Sequence, residues 1–314
     1  MILQIWDLEF KIPFMQLCAE AKLDVSVYDL WLPRRDTSFD HLSLTPVNAH
    51  SSQGRLRFTM GGDTIDIEKA RTYSSKWVQR NLADMYLVVN GRDLKPEFRE
   101  PTLVNRKDLG PLPTTQHQSH ATDMLLVGSL NLSDVEKSLA MVDTMRRDTN
   151  KDGLLRSLRW LRKASRSSEV VDRFVMLWIA FNAFYRALDQ NETGEKTAIQ
   201  NLIMRYPSIE KIREILVSHD VTVKTLASRD LWDRRRRTNY SADLRSLMET
   251  EADPRIILQK VCLCLYTVRN SIFHGGAKPR RDTDFVKACS GLLMRIHREC
   301  FRNYLDSKKA PILC

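Results

Sequence analysis

The sequence lacks a cysteine framework. Its six cysteines, Cys18, Cys262, Cys264, Cys289, Cys300 and Cys314, show no scaffold spacing across 314 residues. That argues against a disulfide-stapled secreted domain and for a reducing, cytoplasmic setting. Cys262 and Cys264 stand one residue apart, which suits neither a zinc knuckle nor a redox pair. Three of the cysteines fall inside apolar helical patterns, where a thiol behaves as a small core residue. A long apolar run is missing too. The longest strongly apolar stretch, Phe174 to Tyr185, has 12 residues and contains Asn182, too short to span a bilayer. The opening MILQIWDLEFKIPF has no basic leader and carries acids early, so no signal peptide and no membrane partner are expected. No internal repeat and no low-complexity tract is present.

Metal-ligand patterns start and do not finish. DTNKDG, Asp148 to Gly153, copies the start of a calcium-binding loop, with Asp148, Asn150 and Asp152 at ligand positions one, three and five and Gly153 at six. Position twelve requires a bidentate carboxylate and holds Arg159, while Arg156 fills another ligand slot. An Asp/Asn/Gly-rich turn between helices is the better reading. His117 and His120, in HQSH, have no carboxylate or cysteine partner at ligand spacing. No metal and no cofactor is therefore expected.

What is present divides the chain in two. The length suits about two domains, and 43% hydrophobic with 28% charged residues is an ordinary globular balance. Residues 1–150 hold 18 Lys and Arg against 20 Asp and Glu, a net of −2, so the overall +10 leaves a net of +12 for residues 151–314. A basic domain attracts polyanions, nucleic acid above all, although a solvated cationic surface has the same composition. The run Arg234, Arg235, Arg236 and Arg237 is one candidate grip on RNA phosphates and Lys278 another. A solvated turn is the alternative for the arginine run.

The pattern of the first half is mixed α/β. Phe14 to Leu23 reads as a short helix. Arg55 to Glu68 reads as a β-hairpin around Gly61-Gly62. Met85–Val89 and Met124–Leu132 read as strands, with an irregular Pro/Thr-rich excursion between them. From Ser133 the chain reads as helical, with Ser133 and Glu136 in capping-box positions. Apolar stripes follow at helical spacing. They comprise Leu154, Leu155, Leu158 and Leu161; Phe174 to Leu188; Ile257, Val261, Leu265, Val268 and Ile272; and Phe285 to Ile296, after a cap at Asp282-Thr283. A polar helical insertion is expected near 192–253. The expected architecture is α+β overall, a mixed α/β domain over 1–132 followed by an all-α bundle over 133–314.

The stretch VRNSIFHGG, Val268 to Gly276, carries the chemistry. Asn270 and His274 are four apart and share a helix face, while Arg269 is offset from Asn270 by about 100°. Gly275 and Gly276 can supply the left-handed turn that ends the helix, and a helix C-terminus favours a protonated His274. Arginine holds phosphate oxygens with a planar fork. Histidine, with an unperturbed pKa of about 6.5, exchanges protons near neutrality. A base that helps a 2′-OH attack the adjacent phosphorus, with cations to stabilise the dianionic transition state, is enough for metal-free RNA cleavage. The bland reading is a His274 cap and a surface Arg269 that meet by chance.

R-N-x-x-x-H at the end of a late helix, followed by glycine and another helix, resembles the HEPN superfamily. Arg269, Asn270 and His274 match its motif of Arg, a polar residue, then His after four to six intervening residues. The segment DRFVMLWIAFNAFYRAL, Asp172 to Leu188, is similar to the helix that precedes the motif in bacterial defence members of the ApeA type, and LRWLRKA, Leu158 to Ala164, resembles the helix before that. The likeness covers about residues 153–306. It implies a HEPN-like bundle of four or five helices that forms a homodimer, with two Arg–His motifs in one composite active site. It also implies a metal-independent endoribonuclease acting in phage defence, by abortive infection, or in a toxin system. On that reading His274 is the acid/base or transition-state donor, Arg269 holds the scissile phosphate and Asn270 orients one of them. Asn182 then faces the same cleft, unless it is a core amide bonded to a neighbouring helix. The partners implied are RNA and a phage-derived trigger or an antitoxin, with the first domain as sensor or regulator. Two other functions fit the same basic half, a non-catalytic HEPN-like module that binds RNA or protein, and a purely structural dimerisation bundle.

Overall fold

A computed structural model describes residues 2–13, 16–17, 20–25, 37–48, 51–62, 64–104, 129–130, 132–189, 194–233, 238–273 and 282–308. The fold is α+β, with an antiparallel sheet in the first half and a helical second half. The chain divides into two compact units, Met1–Arg147 and Asp148–Cys314.

The first unit is built on β1 (Ile2–Pro13), β2 (Gln16–Leu17), β3 (Ala21–Asp24), β4 (Thr37–Asn48) and β5 (Ser51–Gly62). The main sheet has the order β3-β4-β5-β1, and β1 also pairs with β6 (Glu97–Phe98) and β7 (Thr102–Leu103). Trp6, Leu8, Phe10 and Ile12 alternate along β1 and are all buried. They meet Leu56, Phe58 and Met60 of β5 and Leu42 and Leu44 of β4 in one core, as a sheet with one covered face requires. The other face is charged. Arg57 forms two hydrogen bonds of 2.8 Å to the Asp7 carboxylate, and that partner raises the arginine's pKa.

Gly54 lies opposite Phe10, and a Cβ there would stand 2.2 Å from Phe10 Cζ. The ring therefore occupies the space a side chain would need. Gly54→Ala is expected to lower stability by about 1–3 kcal/mol, the usual cost of overpacking. Phe10→Leu in the same chain should recover part of that loss, measured as urea midpoints in a double-mutant cycle.

Several sequence expectations for this unit are corrected. Of the described residues in the Phe14–Leu23 segment none is helical: Gln16–Leu17 and Ala21–Asp24 are strands. No hairpin turns at Gly61-Gly62. Strand β5 continues through both glycines to pair with Leu3 and Ile2, and the chain reverses between Asn48 and Ser51. Asp66 then caps α1 (Ile67–Trp77), accepting from the Lys69 N–H at 2.8 Å. Met85–Val89 is helical, not extended. It lies in α2 (Asp84–Asn90), joined to α1 by a π-helical turn over Val78–Ala83. All five residues are buried, and a continuous apolar run looks the same in a buried strand and a buried helix. Of Met124–Leu132, Ser129–Leu130 form β8, which pairs in parallel with β2, and Leu132 opens α3 (Leu132–Arg146). Ser133 is thus inside the first turn of α3, a shift within the fraying of helix ends. The boundary also moves. Val135 and Leu139 of α3 are buried in the sheet's core, so the first unit ends at Arg147, one helix later than residue 132. His117 and His120 lie outside the described residues.

The second unit contains α4 (Lys151–Arg166), α5 (Val170–Leu188), α6 (Glu195–Arg205), α7 (Ile209–Ser218), α8 (Asp220–Ser228), α9 (Tyr240–Glu249), α10 (Pro254–Phe273) and α11 (Thr283–Lys308). A two-stranded pair, β9 (Trp232–Asp233) and β10 (Thr238–Asn239), precedes α9. Helices α6 to α9 are the expected helical insertion. The apolar stripes pack inward as their spacing predicts, and Cys262, Cys264, Cys289 and Cys300 are buried free thiols. Asp282 caps α11, accepting from the Phe285 N–H at 3.1 Å. In the DTNKDG turn, the Asp148 carboxylate accepts from the Asn150 N–H at 2.7 Å and from the Tyr304 hydroxyl at 2.5 Å. Gly153 lets α4 and α5 close together, since a Cβ would stand 2.4 Å from that of Ala187.

Helix α10 is the one described helix long and apolar enough to cross a membrane, and half of that stretch is buried inside the unit, as in a core helix.

A buried polar pair crosses the bundle. Ser157 on α4 donates to the Ala180 carbonyl at 2.8 Å, and its oxygen lies 2.7 Å from His297 Nε2. With the hydroxyl proton committed to Ala180, His297 must donate through Nε2–H. The ring packs against Phe181, Phe184 and Phe301. Burial pushes its pKa down to about 3, with a further push from Arg298. Both side chains are sealed from solvent, so this serine–histidine pair joins helices and offers no nucleophile to a substrate.

Candidate functional site

Tyr266, Arg269, Asn270 and Phe273 stand at i, i+3, i+4 and i+7 on α10, one face of its last turns. Val268 and Ile272 are buried, which leaves Arg269 and Asn270 half-buried at the stripe's edge. Arg269 Nη1 donates to Asn270 Oδ1 at 2.8 Å. Its guanidinium sits 4.8 Å from the centroid of the Phe273 ring, within cation–π range. Its Nε is buried and has no hydrogen-bond partner among the described residues. Arg269 is held at two points by its own helix, and no described carboxylate neutralises it.

Helix α5 presents Trp178, Asn182 and Tyr185 at i, i+4 and i+7. The Trp178 and Tyr266 rings lie 6.0 Å apart, and Tyr185 is near enough to Arg269 for the cation to act on its phenol. Asn182 follows Trp178 by one turn, near the side of α5 that the Tyr266 ring meets. Asn182 is half-buried. Among the described residues it is hydrogen-bonded to neither Arg269 nor Asn270.

Sequence reasoning did not single out the groups around this seam. The Tyr185 hydroxyl donates to Glu195 Oε1 at 2.6 Å, and burial first, then that carboxylate, raises its pKa. Lys196 Nζ donates to the Tyr240 hydroxyl at 2.8 Å and lies 5.2 Å from the Tyr240 ring and 5.5 Å from the Tyr266 ring. Lys260 sits 5.2 Å from the Tyr240 ring and pairs with Asp243 at 2.8 Å. Lys260, the Tyr240 ring, Lys196 and the Tyr266 ring thus form a run of alternating cations and aromatic rings beside α10. The i, i+3, i+7 spacing of Tyr266, Arg269 and Phe273 was the signal in the sequence. The cross-helix partners had none.

His274, Arg234, Arg235, Arg236, Arg237 and Lys278 lie outside the described residues. The positions flanking the arginine run are described, with Asp233 paired to Thr238 and Trp232 to Asn239. The structure therefore joins Arg269 to Asn270 and sets Asn182 one turn along α5 from the Trp178–Tyr266 contact. Chemically, that last turn of α10 offers an oriented guanidinium, an amide and an exposed aromatic ring. No protein-family model, curated protein or solved structure matches the chain.

Proposed function

We propose that the chain is a metal-independent endoribonuclease of HEPN type. The observation that carries this reading is Arg269, a half-buried arginine fixed by Asn270 and Phe273 with no described counter-charge, on the helix turn that leads into His274. A guanidinium kept free of carboxylates is available to a phosphate.

In the reaction proposed, a base takes the 2′-OH proton as the 2′-oxygen attacks the adjacent phosphorus. The new O2′–P bond forms, the P–O5′ bond breaks, and O5′ leaves with a proton supplied by an acid. The products are a 2′,3′-cyclic phosphate and a 5′-OH. Arg269 stabilises the charge that builds on the phosphoryl oxygens, and His274 moves one of the protons. Asn270 keeps the Arg269 fork oriented, and Asn182 lines the cleft from α5. Arg234 to Arg237 and Lys278 supply phosphate contacts farther along the strand. DNA, without a 2′-OH, is inert. Pairing of two copies would set two such motifs in one cleft. A phage-derived trigger or an antitoxin, read by the first unit, would restrain the activity in phage defence or a toxin system.

The test is the chemistry of the ends. Purified protein is expected to cut RNA in EDTA and to leave 2′,3′-cyclic phosphates. Products with 3′-OH ends, or an absolute need for Mg²⁺, contradict the proposal. Salt-sensitive RNA binding without cleavage would indicate the non-catalytic module instead.

A further inference from the structure

Among the described residues only two aromatic side chains, Trp232 and Phe273, are largely exposed, at 46% and 51%. The rest are packed or half-packed, as the hydrophobic effect dictates. Phe273 is also not a loose surface ring. Arg269 lies against it at 4.8 Å, and Arg269 is itself tied to Asn270. Phe273 stands on the last described turn of α10, immediately before His274.

We infer that Phe273 is a base-stacking platform that seats one nucleobase of single-stranded RNA beside the phosphate held by Arg269, and so helps choose which linkage is cut. The inference deepens the ribonuclease reading and rests on it for the identity of the ligand. Its own warrant is the geometry. A nucleotide presents a flat base and a charged phosphate joined through one sugar. This turn of α10 presents a flat ring and a guanidinium in contact with each other. Stacking uses the face of the base, which every base possesses, so it tolerates many sequences and favours the bases that stack best. It also limits the rotation of the nucleotide next to the scissile phosphorus, which attack by the 2′-oxygen requires. Single-stranded segments are the natural substrate, because their bases are free to leave a helix and stack on protein.

The test uses the full chain carrying His274→Ala, to bind without cutting, and a single-stranded oligoribonucleotide with 2-aminopurine at successive positions. Fluorescence reports stacking and titration gives affinity. With Phe273 intact, one position of the probe is expected to be quenched. Phe273→Leu should abolish that quenching and weaken binding by about 5- to 100-fold, and Phe273→Trp should restore both. Leucine keeps an apolar side chain at an exposed position, so loss of fold does not explain the change. Unchanged quenching and affinity in Phe273→Leu would overturn the inference. So would a shift from dimer to monomer in Phe273→Leu with quenching intact, which would assign the ring to an interface between copies. If the His274-intact chain cuts RNA with the same site preference whether position 273 is Phe or Leu, the platform falls and the ribonuclease stands. If the His274-intact chain neither binds nor cuts RNA, both fall.

Discussion

Arg269→Ala is expected to lower RNA cleavage by about 10²–10³-fold, the usual effect of removing one preorganised charge-stabilising donor, while the helical unit keeps its fold. The structural reason for sparing the fold is that Arg269 bridges nothing essential. Its hydrogen bond and ring contact are to Asn270 and Phe273, on its own helix, and Val268 and Ile272 supply the burial on either side. Arg269→Lys should recover only a small part of the activity. An ammonium keeps the charge, but it loses the planar fork and the flat surface that lies on Phe273. Single-turnover cleavage, with circular dichroism as the control for folding, measures both effects. Full activity in Arg269→Ala would remove the guanidinium from the chemistry.

The second large effect is on stability in acid. His297 has a pKa of about 3 in the fold, against an ordinary 6.5, because it is buried. Below about pH 6.5 the unfolded chain takes up a proton there and the folded chain does not. Its contribution to stability is therefore whole above about pH 6.5 and is lost as the pH falls toward 3. The slope is about 1.4 kcal/mol per pH unit for this one proton. Carboxylates join the titration at lower pH, so the informative comparison is with His297→Gln. Glutamine can still donate to Ser157 but does not titrate. Urea unfolding followed by helical ellipticity between about pH 6.5 and 4.5 should show a steeper loss in wild type, by about that amount per unit. Equal slopes would mean that His297 is not the group that withholds the proton.

The two halves differ in how far the sequence revealed them. In the second half the apolar period of a helix is unambiguous over 16 to 26 residues, and α4, α5, α10 and α11 fall where Leu154, Phe174, Val261 and Leu292 place them. The cap at Asp282 was readable for the same reason, a short acid just before a periodic run. In the first half the decisive features were tertiary. Nothing local says that Met85–Val89 is surrounded by core on every side as a helix. Gly61 and Gly62 carry the composition of a turn, yet the register with Ile2 and Leu3 keeps them in a strand. At the site, the residues of α10 were legible from their spacing. That Asn182 lies one turn along α5 from a contact with this stretch depends on the Trp178–Tyr266 packing between helices, and no period within one helix encodes that.

The most direct measurement is RNA cleavage by the purified protein, wild type against His274→Ala, both in EDTA. Cleavage by wild type alone, with 2′,3′-cyclic phosphate ends, is expected. Equal cleavage by the two proteins would contradict it, because the reaction would then not depend on the histidine that follows Arg269, Asn270 and Phe273.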